Sequence, residues 1–275
     1  MLRIGTSGFS FEDWKGTVYP LKLPASRMFE HYQRELGFDV CELNFTFYRQ
    51  PSASTMRSLA RRACPGFTFT VKCHRDMTHE LWDENGALRS RREPFAEFLA
   101  GVAPLAASGA LGCVLAQFPT RFRTNDEAFD HIRMTREWLE GLPLAVEFRH
   151  RDWCTKETLE FLRAEGIGYC AVDEPPLGSL MPFVPEATSA VGYVRLHGRN
   201  RRWFQATREE RYDYDYSDDE LAELIPGIRR VEAGSSVTYL FFNNCHAGSA
   251  ARNARRLKEL LGLSTWRPDG QLGLL

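Results

Sequence analysis

Polar side chains in this chain fall at alternate positions of short apolar runs, and their types could ligate an ion, hold an anion or move a proton. In Leu144 to Arg149, Glu147 and Arg149 share one parity while Val146 and Phe148 take the other; in Val191 to His197, Arg195 and His197 oppose Val194 and Leu196. Glu42 and Asn44 repeat the pattern against Cys41 and Leu43, and Lys72 opposes Val71. Gln117, Asp173 and the pair Asn243 and Asn244 close three further runs. A β-strand alternates its side chains between two faces, so residues of one parity point the same way. Each run therefore delivers polar chemistry near its carboxyl end.

Three chemistries fit these groups. Glu42, Glu147, Asp173 and His197 are oxygen and imidazole donors of the kind that hold a divalent metal. Lys72, Arg149 and Arg195 would balance the carboxylates without an ion, and suit a phosphate or carboxylate through forked hydrogen bonds. A carboxylate working with Lys72 or His197 could act as general acid and base, with crowding tuning the pKa values. The catalytic candidates are thus Glu147, Asp173, His197 and Lys72, with Glu147→Gln expected to destroy turnover and leave the fold intact. The competing purely structural reading is an ion network that fixes strand register, since buried charges must be paired.

The elements that position these groups are β-rich runs at Leu2 to Thr6, Asp39 to Asn44, Phe67 to Cys73, Leu111 to Phe118, Leu144 to Arg149, Ile167 to Asp173, Val191 to His197 and Val237 to Asn243. Several are apolar along most of their length, as parallel strands covered on both faces are. Helical patterns separate them at Ser26 to Leu36, Ser52 to Ala63, Pro94 to Ala107, Asn125 to Leu139, Thr155 to Glu165, Ser217 to Leu224 and Ala247 to Leu261, several opening on a capping Asn, Ser or Thr. Eight strands in 275 residues match the span of a single (β/α)8 TIM-type barrel, a doubly wound open sheet being the alternative. Glu174 to Ala190 holds four prolines and little helical pattern, so the unit between strands six and seven is expected to be irregular. In a barrel the polar groups would line the mouth where barrel enzymes place their sites.

Composition narrows the partners. With 43 % hydrophobic and 26 % charged residues the chain can bury a substantial core, and a net charge of -1 draws it neither to nucleic acid nor to a membrane. No Gly/Ser linker divides residues 1–275, which reads as one domain. Met1 to Gly8 lacks a basic and apolar leader, and no apolar run approaches a membrane span, so a cytoplasmic location is expected. The seven cysteines form no Cys-x-x-Cys pair and are expected as reduced, mostly buried thiols. Neither a phosphate-binding P-loop nor a dinucleotide Gly-x-Gly-x-x-Gly is present, leaving a divalent metal as the one cofactor the side chains suggest. Arg199 to Phe204 interleaves cations and aromatics as nucleic-acid surfaces do, yet acidic Asp213, Asp215, Asp218 and Asp219 follow, so a lid or self-paired loop is the expectation. Asn243 to Gly248 leads into a helix N-terminus that could take phosphate or be capped by Asn244. Ser7 and His79 sit in turns where capping is the ordinary role.

Taken together, Ile4 to Gly8, Asn44 to Pro51, Val71-Lys72, Thr78-His79, Gln117 to Pro119, Glu147 to His150 with Trp153, Arg195 to Gly198 and Phe242 to Asn244 resemble the YecE-like family, domain of unknown function 72. The resemblance spans nearly the whole chain; Phe9 stands where the family usually has Trp, and Phe45 where it often has Ser. It implies a TIM-type barrel loosely described as related to sugar isomerases. It also implies a site at Glu42, Asn44, Tyr48, Lys72, His79, Gln117, Glu147, Arg149, Asp173, Arg195, His197, Asn243 and Asn244, without assigned roles. The expected function is an isomerase-like enzyme acting on a small anionic or sugar-like molecule, with Glu42, Asn44, Tyr48, His79, Gln117, Arg149, Arg195, Asn243 and Asn244 binding it. The alternatives are a metal-dependent phosphoester hydrolase, with nucleic acid among its candidate substrates, and a ligand-binding barrel without catalysis; no oligomeric state is indicated.

Overall fold

The computed structural model describes residues 1–267. Eight strands, β1 (Leu2–Thr6), β2 (Val40–Leu43), β3 (Thr68–Lys72), β4 (Leu111–Gln117), β5 (Leu144–Glu147), β6 (Gly168–Asp173), β7 (Val191–Leu196) and β8 (Val237–Phe242), follow the expected runs within a residue or two. Each pairs in parallel with its neighbours in sequence, and β8 returns to β1, closing the barrel. Helices α1 (Met28–Arg34), α2 (Ala53–Arg62), α3 (Arg75–Thr78), α4 (Glu93–Ala107), α5 (Asp126–Trp138), α6 (Lys156–Ala164), α7 (Arg208–Arg211), α8 (Asp218–Ala233) and α9 (Ser249–Leu260) occupy the connections. Residues 174–190 form no helix.

Local sequence explains where helices start. Ser52, Asn125, Thr155 and Ser217 each accept a backbone N–H three residues on, supplying a donor's partner that the first helical turn cannot. Helix α8 runs to Ala233, past the Leu224 at which the sequence reading stops it. Pro226 removes one hydrogen bond inside it, but Leu221, Leu224, Ile228 and Val231 are all buried on one stripe, and that packing outweighs the lost bond. Gly227 fits the same contact, because a β-carbon there would lie 2.6 Å from the Phe183 ring.

Close approach of backbones fixes a second glycine. A β-carbon on Gly5 would stand 2.2 Å from the Val40 carbonyl oxygen, at the β1–β2 junction. Gly5→Ala must therefore push β2 aside, and about 1–3 kcal/mol of overpacking cost is expected. Thermal unfolding should show a midpoint lowered by roughly 5 °C; an unchanged midpoint would mean that β1 and β2 separate without cost.

Candidate functional site

The barrel interior is charged at its carboxyl end. Arg195, 1 % exposed, bridges two carboxylates: its Nη2 donates to Glu42 Oε1 at 2.7 Å and its Nη1 to Glu147 Oε2 at 2.6 Å. Glu42 also accepts from the hydroxyls of Ser7 and Tyr193, both at 2.7 Å. Arg149 donates through Nε to Glu147 Oε1 at 2.5 Å and through Nη1 to Glu174 Oε2 at 3.0 Å. Burial alone would raise the Glu147 carboxyl, but Arg149, Arg195 and His197 hold it well below the usual range. Burial pushes Glu174 the other way, up to about 7, against the pull of Arg149. The cations expected to greet an anion are thus largely committed: Arg149 and Arg195 neutralise carboxylates, as unpaired charge in an apolar interior would be costly.

Strand parity sorts the remaining candidates. Two residues beyond Glu42, Thr70, Glu147 and Arg195 come Asn44, Lys72, Arg149 and His197, which with Gln117, Glu174 and Asn243 ring the mouth. Four members, Gln117, Arg149, Glu174 and His197, are buried on the β4 to β7 side. The other three, Asn243, Asn44 and Lys72, keep partial exposure over β8, β2 and β3. Lys72 Nζ donates to Gln117 Oε1 at 2.7 Å and lies 4.3 Å from the centre of the Phe47 ring. Among the described residues no carboxylate lies within ion-pair distance of it. Although part of Lys72 reaches solvent, burial of its ammonium, followed by repulsion from Arg195, lowers its pKa to about 7.

Two expected site residues face elsewhere. Asp173 takes a forked pair from Arg199, at 2.9 and 3.0 Å, and the Tyr216 hydroxyl at 2.7 Å. Asn244 donates to the Tyr214 carbonyl and to Asn253 Oδ1, each at 2.8 Å. Both sit on the outer parity of their runs, where they tie down the loop of residues 199–216. The inward residue at the end of β6 is Glu174, in phase with Cys170, whose Sγ lies 3.9 Å from Glu147 Oε2. Sequence reasoning missed Glu174 and Tyr193; the signal was the same alternation, since Tyr193 is in phase with Arg195. Ser7, read as a cap, is a ligand of Glu42.

The 199–216 loop folds inward as a lid. Trp203 is 4 % exposed, its ring 5.5 Å from Tyr212 and 6.4 Å from His197, with the Arg149 guanidinium 6.0 Å from its centre. Beneath it, His197 Nδ1 meets Asn243 Nδ2 at 3.0 Å. Its Nε2 lies 3.3 Å from Glu147 Oε1, outside hydrogen-bond geometry. Burial, then repulsion from Arg149, lowers the His197 pKa to about 3, so the ring is neutral near pH 7. His79 packs edge-on to Phe47 at 4.6 Å, bonds Thr78 Oγ1 at 2.9 Å, and is lowered to about 3 by burial and by Lys72.

A cavity of about 740 Å³ opens over β1, β2 and β8, with two of the half-buried mouth residues, Asn44 and Asn243, in its lining. Phe9, Phe11, Phe45, Tyr48 and Tyr212 supply aromatic walls, and Ser7, Glu42, Asn44 and Asn243 supply polar lining. Asn44 Nδ2 donates to Asn243 Oδ1 at 3.4 Å, while Asn44 Oδ1 is buried without a hydrogen-bond partner. Lys72, His79, Gln117 and Arg149 lie outside this lining. The four proposed metal donors do not converge: Arg195 stands between Glu42 and Glu147, and Asp173 is held by Arg199. Among the described residues no group of three His, Cys, Asp or Glu side chains is arranged to hold a metal ion. At the turn into α9 the Ala247 N–H already donates to Asp13 Oδ2 at 2.7 Å, so a carboxylate of the chain occupies the position considered for phosphate. The cysteines are all free, with Cys154 exposed and Cys245 half-buried. No helix among the described residues is long and apolar enough to cross a membrane.

The buried histidines give the fold an acid-sensitive side. His79, His131 and His197 hold pKa values of about 3, 4 and 3, with burial the first cause in each. Unfolding lets each take a proton near its ordinary value, so their contribution is present above about pH 6.5 and lost on acidification. Glu174, raised to about 7, acts in the opposite sense, binding a proton in the folded state that the unfolded chain releases. The net expectation from about pH 6.5 to about pH 5 is a loss on the order of 3 kcal/mol. Urea unfolding at the two pH values measures it; equal stability would mean that the histidine burden is no larger than the opposing Glu174 contribution.

Comparison with known proteins places this architecture. The sequence model of a family described as "Protein of unknown function DUF72" matches residues 3–272. The UPF0759 protein YunF of Bacillus subtilis (strain 168) is 30% identical over 275 residues, covering 96% of this chain and 95% of that protein. A DUF72 family protein from Thermotoga maritima of known crystal structure is 44% identical, with a TM-score of 0.89 over 95% of this chain and 99% of its own. One from Enterococcus faecalis V583 is 25% identical, with a TM-score of 0.82 over 96% of both chains.

Proposed function

Given that the chain belongs to the DUF72 family, whose barrel positions a mouth but names no substrate, we propose that it is an enzyme acting on a small sugar-like carbonyl compound by proton transfer centred on Lys72. The observation that carries this reading is the open arc of the mouth. Asn243, Asn44 and Lys72 are its three partly exposed polar members; the two asparagines line a cavity with aromatic walls, and Lys72 lies at the mouth outside that lining. Aromatic faces suit the apolar C–H surface of a sugar, and amide side chains suit its hydroxyls. Because Arg149 and Arg195 are spent on carboxylates, Lys72 is left as the mouth's reactive cation, enough for one anionic group and too little for a highly charged ligand.

An amine whose pKa lies near the working pH is a competent acid and base, since it both takes and gives a proton readily. His197 and Glu174 then serve beneath the lid, fixing Asn243 and Arg149 and so the shape of the mouth. The test is solvent exchange. Incubated in heavy water with a panel of aldoses, ketoses and their acids, the protein should catalyse deuterium incorporation at the carbon beside the carbonyl of at least one, followed by proton magnetic resonance. Saturable binding without exchange for any ligand would favour a barrel that binds without catalysis.

A further inference from the structure

Resting on that reading, we infer that Lys72 acts covalently, its Nζ condensing with the carbonyl carbon of a substrate held in the mouth to form an imine. Geometry makes the nitrogen available. Its hydrogen-bond partner is the neutral Gln117 oxygen at 2.7 Å, which takes one hydrogen and leaves the remaining directions on nitrogen uncommitted. On another side the Phe47 face lies 4.3 Å away. Among the described residues no carboxylate ties the group down, whereas Arg149 and Arg195, on the same wall of charges, are each paired twice. The side chain keeps partial exposure at the mouth, outside the lining of the aromatic-walled cavity, so a ligand entering the mouth over β3 can reach it.

Chemistry supports the same assignment. A lysine desolvated near other cations is the form in which lysines act as nucleophiles. With its pKa near 7, Lys72 is about half amine at neutral pH, against roughly one part in three thousand for an ordinary lysine. The step needs no oxidant or reductant. The nitrogen lone pair forms the C–N bond while the carbonyl π pair moves to oxygen, which takes the proton shed by nitrogen. The resulting hydroxyl leaves as water with a second proton, and the nitrogen lone pair closes the C=N bond. Protonated, that imine draws electrons from the neighbouring carbon and acidifies its C–H, which gives the proposed exchange a covalent route.

The chain contains its own controls, because lysine occurs only at positions 15, 22, 72, 156 and 258. Lys258 is also lowered by burial, but it is 9 % exposed, donates to the Gly37 carbonyl at 3.2 Å and faces Phe38 at 4.7 Å, away from the mouth. Lys156 is a solvent-exposed lysine of the ordinary kind. The full-length protein would be incubated near pH 7 with dihydroxyacetone or glyceraldehyde, reduced with borohydride, digested and mapped by mass. Lys72 should acquire the reduced adduct at least about tenfold faster than Lys156, with Lys258 unlabelled, and Lys72→Arg should lose the fast adduct while remaining folded. Labelling that merely follows exposure, with Lys72 no faster than Lys156, overturns the covalent role. If deuterium exchange persists in that case, the proton-transfer reading stands without it; if exchange is absent too, both fall.

Discussion

Replacement of Arg195 by methionine is expected to lower the thermal midpoint by roughly 10 °C, the largest stability effect of any single change in the mouth. Arg195 lies between Glu42 and Glu147, all three essentially without solvent contact. Methionine fills much of the volume but leaves two buried carboxylates facing each other, and removing one partner of such a group costs about 3–5 kcal/mol. In a protein of this size each kcal/mol moves the midpoint by about 2–4 °C. Part of the loss should be recovered when Glu42→Gln and Glu147→Gln are added to Arg195→Met, because the uncompensated charges are then gone. Equal instability of the single and triple variants would show that shape, rather than charge, is what Arg195 supplies. The same network changes what Glu147→Gln should do. The sequence alone suggests lost turnover on an intact fold; with Glu147 accepting from Arg149 and Arg195, the variant is expected to lose stability as well.

The strands and the mouth were legible because both rest on short-range periodicity. Alternation put Glu42, Glu147 and Arg195 on one face, and that face is inward. The same rule was misapplied at two run ends: Asp173 and Asn244 are the last conspicuous polar residues of their runs but lie one step out of phase, and Glu174 holds the inward position instead. Reading Cys170, Val172 and Glu174 as one parity would have found it. What alternation cannot give is which charge meets which. Glu42 and Arg195 are joined from β2 to β7 across the barrel, a pairing set by closure of eight strands rather than by spacing. For that reason the three cations read as an anion site, although two of them are spent inside the wall. A lid or self-paired loop was the expectation for residues 199–216, but the partners of its Trp203 and Tyr212 show only once β7 has placed His197 below them.

Lys72→Met is expected to reduce turnover of whichever carbonyl substrate shows exchange by about 10²- to 10⁴-fold, the usual range for losing a general acid or base, while leaving the protein at least as stable. The two halves of that expectation come from one cause. Burial and the nearby Arg195 disfavour the ammonium in the folded state, so its pKa is about 7 rather than the unfolded 10.5. A cation depressed in this way destabilises the fold below about pH 7 and ceases to do so as pH rises toward the unfolded value. Methionine removes that burden and keeps contact with the Phe47 face. Lys72→Arg tests the charge separately: it preserves a cation opposite Phe47 but cannot shed its proton, so it should be as inactive as the methionine variant. In the wild type, exchange should rise as pH passes upward through about 7, where the amine form accumulates. Residual activity in either variant that keeps this ascending limb would assign the titration to another group. The one other mouth residue placed near 7 is Glu174, and Glu174→Gln would then be the variant in which the limb disappears.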